Sequence, residues 1–314
     1  MRRALYDPQR GYYTARIQTV GARGDFSTSA TISPLLGRAV ARWLLDEARV
    51  TGVRTIIEVG GGDGSLMQAV LAGLGWWRRR RFRLLMVDAS PILISRQRQK
   101  LGGKVGAWFA TLPEALAACE GEALIFHNEL LDAFPVEVVQ GDGGAWCEVW
   151  LRHEAGGVSE ELRTLSLNPE PFSALRARPA GRAEVATGVH AWLRAWMPLW
   201  QGGAMLTIDY GDLYPAVYHR RPQGTLRAYL LQQRLTGADI YMNAGRQDIT
   251  CDVNFTDVHA WLAEGGTQET NFETQADFIR RLVPVPGSAR DAFLLHGQGA
   301  GQAFKCLAVR RAAR

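Results

Sequence analysis

From Ser33 the chain runs Pro-Leu-Leu-Gly-Arg-Ala-Val-Ala-Arg-Trp-Leu-Leu, and Leu36, Ala39, Val40, Trp43 and Leu44 recur at the spacing of one helical face. Ser33 is placed to cap this helix, and Pro34 suits its first turn. The period changes at Thr55-Ile-Ile-Glu-Val59, an apolar β-branched run that glycines break before a helical stretch over 65–74. The same alternation continues with a strand over 82–88 and a helix over 91–101. A strand over 105–109 and a helix over 113–119 come next, then a strand over 123–127. A helix over 189–200 leads to a strand over 203–209, and a helix near 275–281 leads to a last strand over 303–309. Repeated strand–helix alternation predicts an α/β protein whose parallel sheet is covered by helices on both faces.

Two stretches break the pattern. Residues 140–185 hold a strand-pair candidate over 146–152 and the prolines Pro169, Pro171 and Pro179, while 212–250 is aromatic and polar without clean periodicity. Both follow the carboxyl ends of core strands, where α/β folds place ligands, and are expected to be caps over the site. The resulting division is an N-terminal helical lid over 1–50, a cofactor-binding half of the core over 51–140 and an insertion over 141–185. The core then continues over 186–211, a cap occupies 212–250, and 251–314 completes the core. No internal repeat is visible.

The length of 314 residues allows one large domain or two modest ones, and 47% apolar with 21% charged residues excludes collagen-like and disordered classes. The net charge of +5 is mild, and all basic residues except Lys100, Lys104 and Lys305 are arginine. Arg78 to Arg81, after Trp76 and Trp77, join a predicted helix to a predicted strand. Arginine is favourable near a helix C-terminus, so a solvated connection is expected, with neither a nucleic-acid nor a membrane partner. Cys119, Cys147, Cys251 and Cys306 form no C-x-x-C pair, and no histidines stand at metal-ligand spacing, so no metal is expected. Sparse thiols, no signal-like start and no apolar run of roughly 20 residues lead to an expected cytoplasmic setting.

The chemistry concentrates in Glu58-Val-Gly-Gly-Gly-Asp-Gly64, between a strand and a helix. Glycines there permit positive φ and close approach of a ligand to backbone N–H groups at the helix start. The dinucleotide spacing G-x-G-x-x-G fails, because Ser65 and Met67 stand where its last glycine would be. An acid two residues before G-x-G-x-G is instead the pattern of class I S-adenosyl-L-methionine (SAM) methyltransferases. Asp88 ends the second strand, where a carboxylate can accept both ribose hydroxyl hydrogens, a position that serves NAD proteins too. The candidate cofactor set is therefore Glu58, Gly60, Gly62, Gly64, Asp88 and Trp108, the last at the end of the third strand. The bland alternatives are a tight turn for the glycines, a helix N-cap for Asp88 and core packing for Trp108.

Ala4-Leu-Tyr-Asp-Pro with Gly11-Tyr-Tyr13, Gly24-Asp-Phe-Ser-Thr-Ser29, the glycine loop, Asn128-Glu-Leu-Leu-Asp-Ala-Phe-Pro-Val136 and Ile208-Asp-Tyr-Gly211 follow in order. Gly224-Thr-Leu-Arg-Ala-Tyr229, Asp248-Ile-Thr250 and Asp252-Val-Asn-Phe255 complete the set. With these motifs the chain resembles, over nearly its whole length, the MidA-like family, which includes the mitochondrial complex I assembly-factor methyltransferase. The resemblance implies a class I fold with an antiparallel last strand and SAM as cofactor. It also implies methylation of an arginine on a protein substrate, for the best-known member a complex I subunit. Three departures bear on it: Ala30-Thr31 where the family usually has Pro-Glu, Gln232 and Gln233 where a histidine is frequent, and Gly61 where proline is common. A small-molecule acceptor, or an assembly factor without turnover, are the alternatives.

Methyl transfer from a sulfonium is an in-line displacement, so the protein mainly positions the acceptor and excludes water. A guanidinium acceptor is a planar cation that carboxylates hold in bidentate fashion. Glu129 and Asp132 follow the fourth strand, Asp25 lies in the N-terminal lid, and Asn128 ends the strand. These four are the candidate catalytic residues. A helix N-cap for Asp132, an exposed acid for Glu129 and a turn residue for Asn128 are the competing roles. Trp192, Trp196 and Trp200 recur every four residues and are expected to share one helical face packed in the core.

Overall fold

In the computed structural model, which describes residues 1–17, 33–154, 157–231, 233–284, 291, 295 and 300–312, the β-branched run forms strand β1 (Thr55–Val59). It shares a sheet with β2 (Arg83–Val87), β3 (Ala107–Phe109), β4 (Glu122–Asn128), β5 (Gly202–Asp212), β6 (Gln268–Thr274) and β7 (Phe304–Arg311). Their order across the sheet is β6-β7-β5-β4-β1-β2-β3. The central pairings are parallel, and β7 runs antiparallel to both β5 and β6, the antiparallel last strand that the resemblance implies. The chain thus builds outward from β1 in one direction, returns, and builds outward from β4 in the other. Between β1 and β4 lies the topological switch point, where sheets of this kind open a crevice for ligands.

Why both faces are covered follows from the strand period of two. Ile56, Met86, Phe126, Leu206 and Ile208 pack into one core with helices α1 (Leu35–Thr51) and α2 (Ser65–Arg79). The intervening Ile57, Leu85, Ile125, Met205 and Leu307 are just as buried, on the opposite face. Helix α3 (Pro91–Leu101) follows β2, and α4 (Leu112–Ala117) packs on β2 and β3. Later come α5 (Thr187–Trp196), α6 (Phe255–Glu264) and α7 (Gln275–Leu282), the last joining the first core through Ala276 and Ile279.

Two expectations need correction, and one strand was missed. Pro34, not Ser33, holds the N-cap of α1; the Ser33 hydroxyl accepts the Leu35 N–H at 3.1 Å and donates to Asp291 at 2.6 Å. Trp192, Trp196 and Trp200 do not share one helix, because α5 stops at Trp196 and a 3₁₀ turn over Met197–Leu199 carries Pro198, which cannot continue the helical hydrogen bonds. Trp196 and Trp200 are nonetheless core residues, and the Trp200 indole donates to the Ala123 carbonyl at 3.1 Å. Strand β6 was not expected at all. It is an edge strand of mostly polar residues, paired on one side only, and so lacks the apolar pattern that marks its neighbours.

The chain divides into two compact units. The sheet just described lies in the unit formed by Ile17–Leu130, Arg194–Tyr210 and Leu262–Arg314. The other unit, formed by Met1–Arg16, Leu131–Leu193 and Gly211–Trp261, has its own antiparallel sheets. One orders Gly157–Thr164, Ala145–Glu154, Glu137–Asp142 and Arg182–Val185; the other orders Gln233–Leu235, Arg227–Leu230 and Asp248–Thr250. Motifs distant in sequence meet here. Tyr13 donates to Asp248 at 2.6 Å, and Tyr6, stacked on Tyr13, donates to the Ala133 carbonyl at 3.0 Å. Thr225 gives its N–H (2.8 Å) and hydroxyl (2.9 Å) to the buried carboxylate of Glu184, and Arg227 pairs with Asp252 at 2.6 Å. Burial pushes the Tyr13 hydroxyl and the Glu184 carboxyl above their ordinary pKa ranges.

Candidate active site

At the end of β1 the Gly60 N–H donates to the Val87 carbonyl at 2.8 Å, tying the loop to β2. Gly60, Gly62 and Gly64 have φ of 69°, 54° and 83°, a region in which side-chain-bearing residues are strained. A Cβ on Gly60 would sit 2.7 Å from Leu130 Cδ1, so the glycine also lets the chain after β4 approach the loop. Asp63 accepts the Ser65 N–H at 3.0 Å and is ion-paired with Lys100. Burial pushes Asp63 up, but these hydrogen bonds and the ammonium charge outweigh it and hold its pKa below the usual carboxylate value.

Two buried carboxylates flank the loop. Glu58 is 2% exposed, and its Oε2 has no hydrogen-bond partner. Burial, reinforced by the charges of Asp88 and Asp63, raises its pKa well above the ordinary value. Asp88 accepts the Ser90 N–H at 2.9 Å through Oδ1 and the Gln97 amide at 2.8 Å through Oδ2. Its pKa rises to about 6 because burial outweighs those two bonds. Asp88 is not the cap of α3: that position is Ser90, whose hydroxyl accepts the Leu93 N–H. Each Asp88 oxygen therefore keeps lone-pair capacity for a further donor.

Gln97 was missed from the sequence. It is fully buried, and its Nε2 also donates to the Gly62 carbonyl at 2.9 Å, so one side chain ties the glycine loop to Asp88. The signal was present: Gln97 stands four residues from both Leu93 and Leu101 on the buried face of α3, a polar residue where the period asks for an apolar one. Trp108, half-buried in β3, has a buried indole N–H without a partner, and the Arg98 guanidinium lies 5.4 Å over its ring.

Asn128 is the last residue of β4. Its Nδ2 donates to Glu129 Oε1 at 3.0 Å, while its Oδ1 is buried without a partner. Glu129 has φ 52°, and its N–H donates to the Ile208 carbonyl at 2.9 Å. The next N–H, that of Leu130, donates to Asp209 at 3.1 Å, a buried acid that sequence reasoning also missed. The structure thus brings Asn128 and Glu129 together beside the glycine loop. Asp132 belongs to the other unit, where it is buried and its carbonyl accepts the Cys251 N–H at 3.1 Å. Asp25 lies outside the described residues, as do Thr31 and Gln232. Among the described residues no group of His, Cys, Asp and Glu could hold a metal ion.

The residues fit an adenosyl cofactor. Glycines without Cβ let a ligand reach the backbone, Asp88 can accept from ribose hydroxyls, and the buried Glu58 carboxyl keeps one oxygen without a partner, available for a hydrogen bond from the ligand. Strand order, the antiparallel β7 and this carboxylate–glycine site at the switch point define a class I SAM methyltransferase.

The sequence profile of the S-adenosyl-L-methionine-dependent methyltransferase family Methyltransf_28 matches residues 39–272, and the chain belongs to this family. It is 29% identical over 318 residues to the mitochondrial protein arginine methyltransferase NDUFAF7 homolog of Drosophila melanogaster, a match covering 90% of this chain and 70% of that protein. It is 24% identical over 316 residues to mitochondrial protein arginine methyltransferase NDUFAF7 of Homo sapiens, covering 90% of this chain and 68% of that protein. A crystal structure of a Burkholderia thailandensis protein bound to S-adenosyl-homocysteine superposes with a TM-score of 0.85 at 26% identity, covering 99% of this chain and 86% of that one. These relatives correct one expectation: the curated ones are mitochondrial proteins, so the cytoplasmic setting inferred from cysteine usage and the chain start does not stand. No helix among the described residues is long and apolar enough to cross a membrane.

Proposed function

We propose that this enzyme transfers a methyl group from SAM to an arginine nitrogen of a protein substrate, a respiratory-complex subunit being the substrate that the family resemblance implies. The observation that carries this reading is the meeting of Gly60 with Leu130, which puts the Asn128–Glu129 pair beside the loop at the switch point. The names of the curated relatives support the same acceptor.

When bound, SAM supplies a methyl group on a cationic sulfonium. Glu58, Gly60, Gly62, Gly64, Asp88 and Trp108 would hold it: the glycines by allowing close backbone approach, Asp88 by accepting ribose hydroxyls, and Trp108 by lining the base. Glu129 would hold the guanidinium and take up the proton its nitrogen loses as the methyl leaves sulfur, a neutral thioether remaining on the cofactor, and bonds to that nitrogen. Asn128 fixes Glu129 through its amide N–H and offers its unpartnered Oδ1 to a guanidinium N–H. Of the further carboxylates expected at the acceptor, Asp132 belongs to the other unit and Asp25 lies outside the described residues, so this reading rests on Glu129 and Asn128. Carboxylate pairing matters because a guanidinium without it is costly to desolvate.

The test is methyl transfer from labelled SAM to lysate of cells lacking the protein, followed by mass mapping. Methylarginine on a discrete protein is the expected result. A small-molecule acceptor is the second reading, favoured by Thr31 and Gln232 at positions where the family differs. Label confined to the low-molecular-weight fraction would select it.

A further inference from the structure

Past Leu74, helix α2 changes character. Gly75 leaves the helical path at φ 73°, and the turn that follows reads Trp76-Trp77-Arg78-Arg79 before Arg80 and Arg81 lead into β2. The sequence suggests a solvated connection, and solvation accounts for the arginines. It does not account for the indoles. Trp77 is 76% exposed and Trp76 47%, their rings meet edge to face at 4.4 Å, and the Arg80 guanidinium lies 3.9 Å over the Trp76 ring. Among the described residues none of Arg78, Arg79, Arg80 and Arg81 forms an ion pair. Exposed large apolar side chains, unlike exposed charges, are the informative departure on a protein surface.

We propose that this turn is a docking surface for an anionic lipid bilayer, with the two indoles in the interfacial layer and the arginines on the headgroup phosphates. Tryptophan suits that layer because its apolar ring carries a polar N–H, and basic residues beside it add attraction to an anionic surface, about five-fold in partitioning for each arginine. A second copy of the chain is a poor occupant, since a two-fold contact would set four unpaired arginines against their own copies. Single-stranded nucleic acid needs open aromatic faces for base stacking, and Arg80 already covers Trp76.

The position of the turn suits docking without obstruction. Arg83 opens β2, and its N–H donates to the Arg54 carbonyl just before β1 at 2.9 Å, so the arginines run into the amino-terminal edge of these parallel strands. The glycine loop follows the carboxyl end of β1. A bilayer at one edge leaves the other free for cofactor and acceptor.

The experiment is flotation of the purified chain with vesicles of phosphatidylcholine alone and of phosphatidylcholine doped with phosphatidylserine. The chain is expected to float with the doped vesicles only, and less so as salt rises. Combining Trp76→Ala with Trp77→Ala, or Arg78→Gln through Arg81→Gln, should cut that binding at least ten-fold while SAM affinity and melting temperature stay as in the parent. Failure of the parent to bind doped vesicles would overturn the proposal. So would equal binding by the variants, or tighter patch-dependent binding to a single-stranded RNA oligonucleotide at the same salt.

Discussion

The side-chain amide of Gln97 donates to Asp88 Oδ2 at 2.8 Å, and the same nitrogen reaches the Gly62 carbonyl at 2.9 Å. A residue on α3 therefore sets the spacing between the two parts of the cofactor site that come from different strand ends. The bond also favours the ionised form of Asp88 against the burial that raises its pKa. Gln97 is a positioning residue, acting on the cofactor through Asp88 and the loop.

Gln97→Leu should raise the KM for SAM about ten-fold, on the scale of a lost hydrogen bond to a charged group, and leave kcat within about a factor of two. Gln97→Glu should do worse, because it sets a second carboxylate against Asp88. Steady-state kinetics of both variants checks this; an unchanged KM in Gln97→Leu would remove the positioning role.

Glu58 predicts an opposition between stability and binding. Its folded-state pKa is raised by burial, so the stability it lends the ligand-free chain is present at low pH and lost as pH rises through that raised value. Glu58→Gln should therefore raise the melting temperature of the ligand-free protein in mildly alkaline buffer, with the gain shrinking as pH falls into the acid range. Cofactor affinity should drop in the same variant. Thermal melts across pH, with and without S-adenosyl-homocysteine, provide the check.

Asp88 sets the pH dependence of cofactor binding. Its pKa in the ligand-free protein is about 6. Ribose hydroxyls donate best to the ionised carboxylate, so affinity should be full above that value and fall toward ten-fold per pH unit below it. Calorimetric titrations on either side of pH about 6 should show a proton released on binding at the acid side. Affinity that is flat through that range would count against Asp88 as the ribose acceptor.

Glu129→Gln should leave SAM affinity nearly unchanged and cut turnover ten-fold or more, the rate cost of about 1.4 kcal/mol or more lost in the transition state. Asp25→Asn is expected to behave likewise. If both variants keep full turnover, a cationic acceptor is untenable and the small-molecule reading takes its place.

The core sheet was legible because β1, β2, β4 and β5 are buried on both faces and read as apolar runs, and the glycine spacing with Asp88 marked the nucleoside end of the site. What escaped has physical reasons. β6 pairs on one side only and carries almost no apolar residues, and Gly157–Thr164, with alternate Ser, Glu and Arg, is likewise a strand without a buried face. The meeting of Tyr13 with Asp248 and of Thr225 with Glu184 depends on pairings across 235 and 41 residues, which no local pattern encodes. Gln97 was legible in principle, as a polar break in an apolar i, i+4 series. An added Cβ on the glycine at 61, where the family often has proline, would meet the far end of the Met86 side chain, which is flexible enough to yield.

The most direct test of the account is calorimetric titration of S-adenosyl-homocysteine and of NAD into the ligand-free chain and its Asp88→Ala variant. Saturable binding of S-adenosyl-homocysteine to the parent is expected, with a loss of about 1.5–3 kcal/mol, roughly ten- to a hundred-fold in affinity, in the variant. Tight binding of NAD with none of S-adenosyl-homocysteine, or an Asp88→Ala variant that binds as well as the parent, would contradict it.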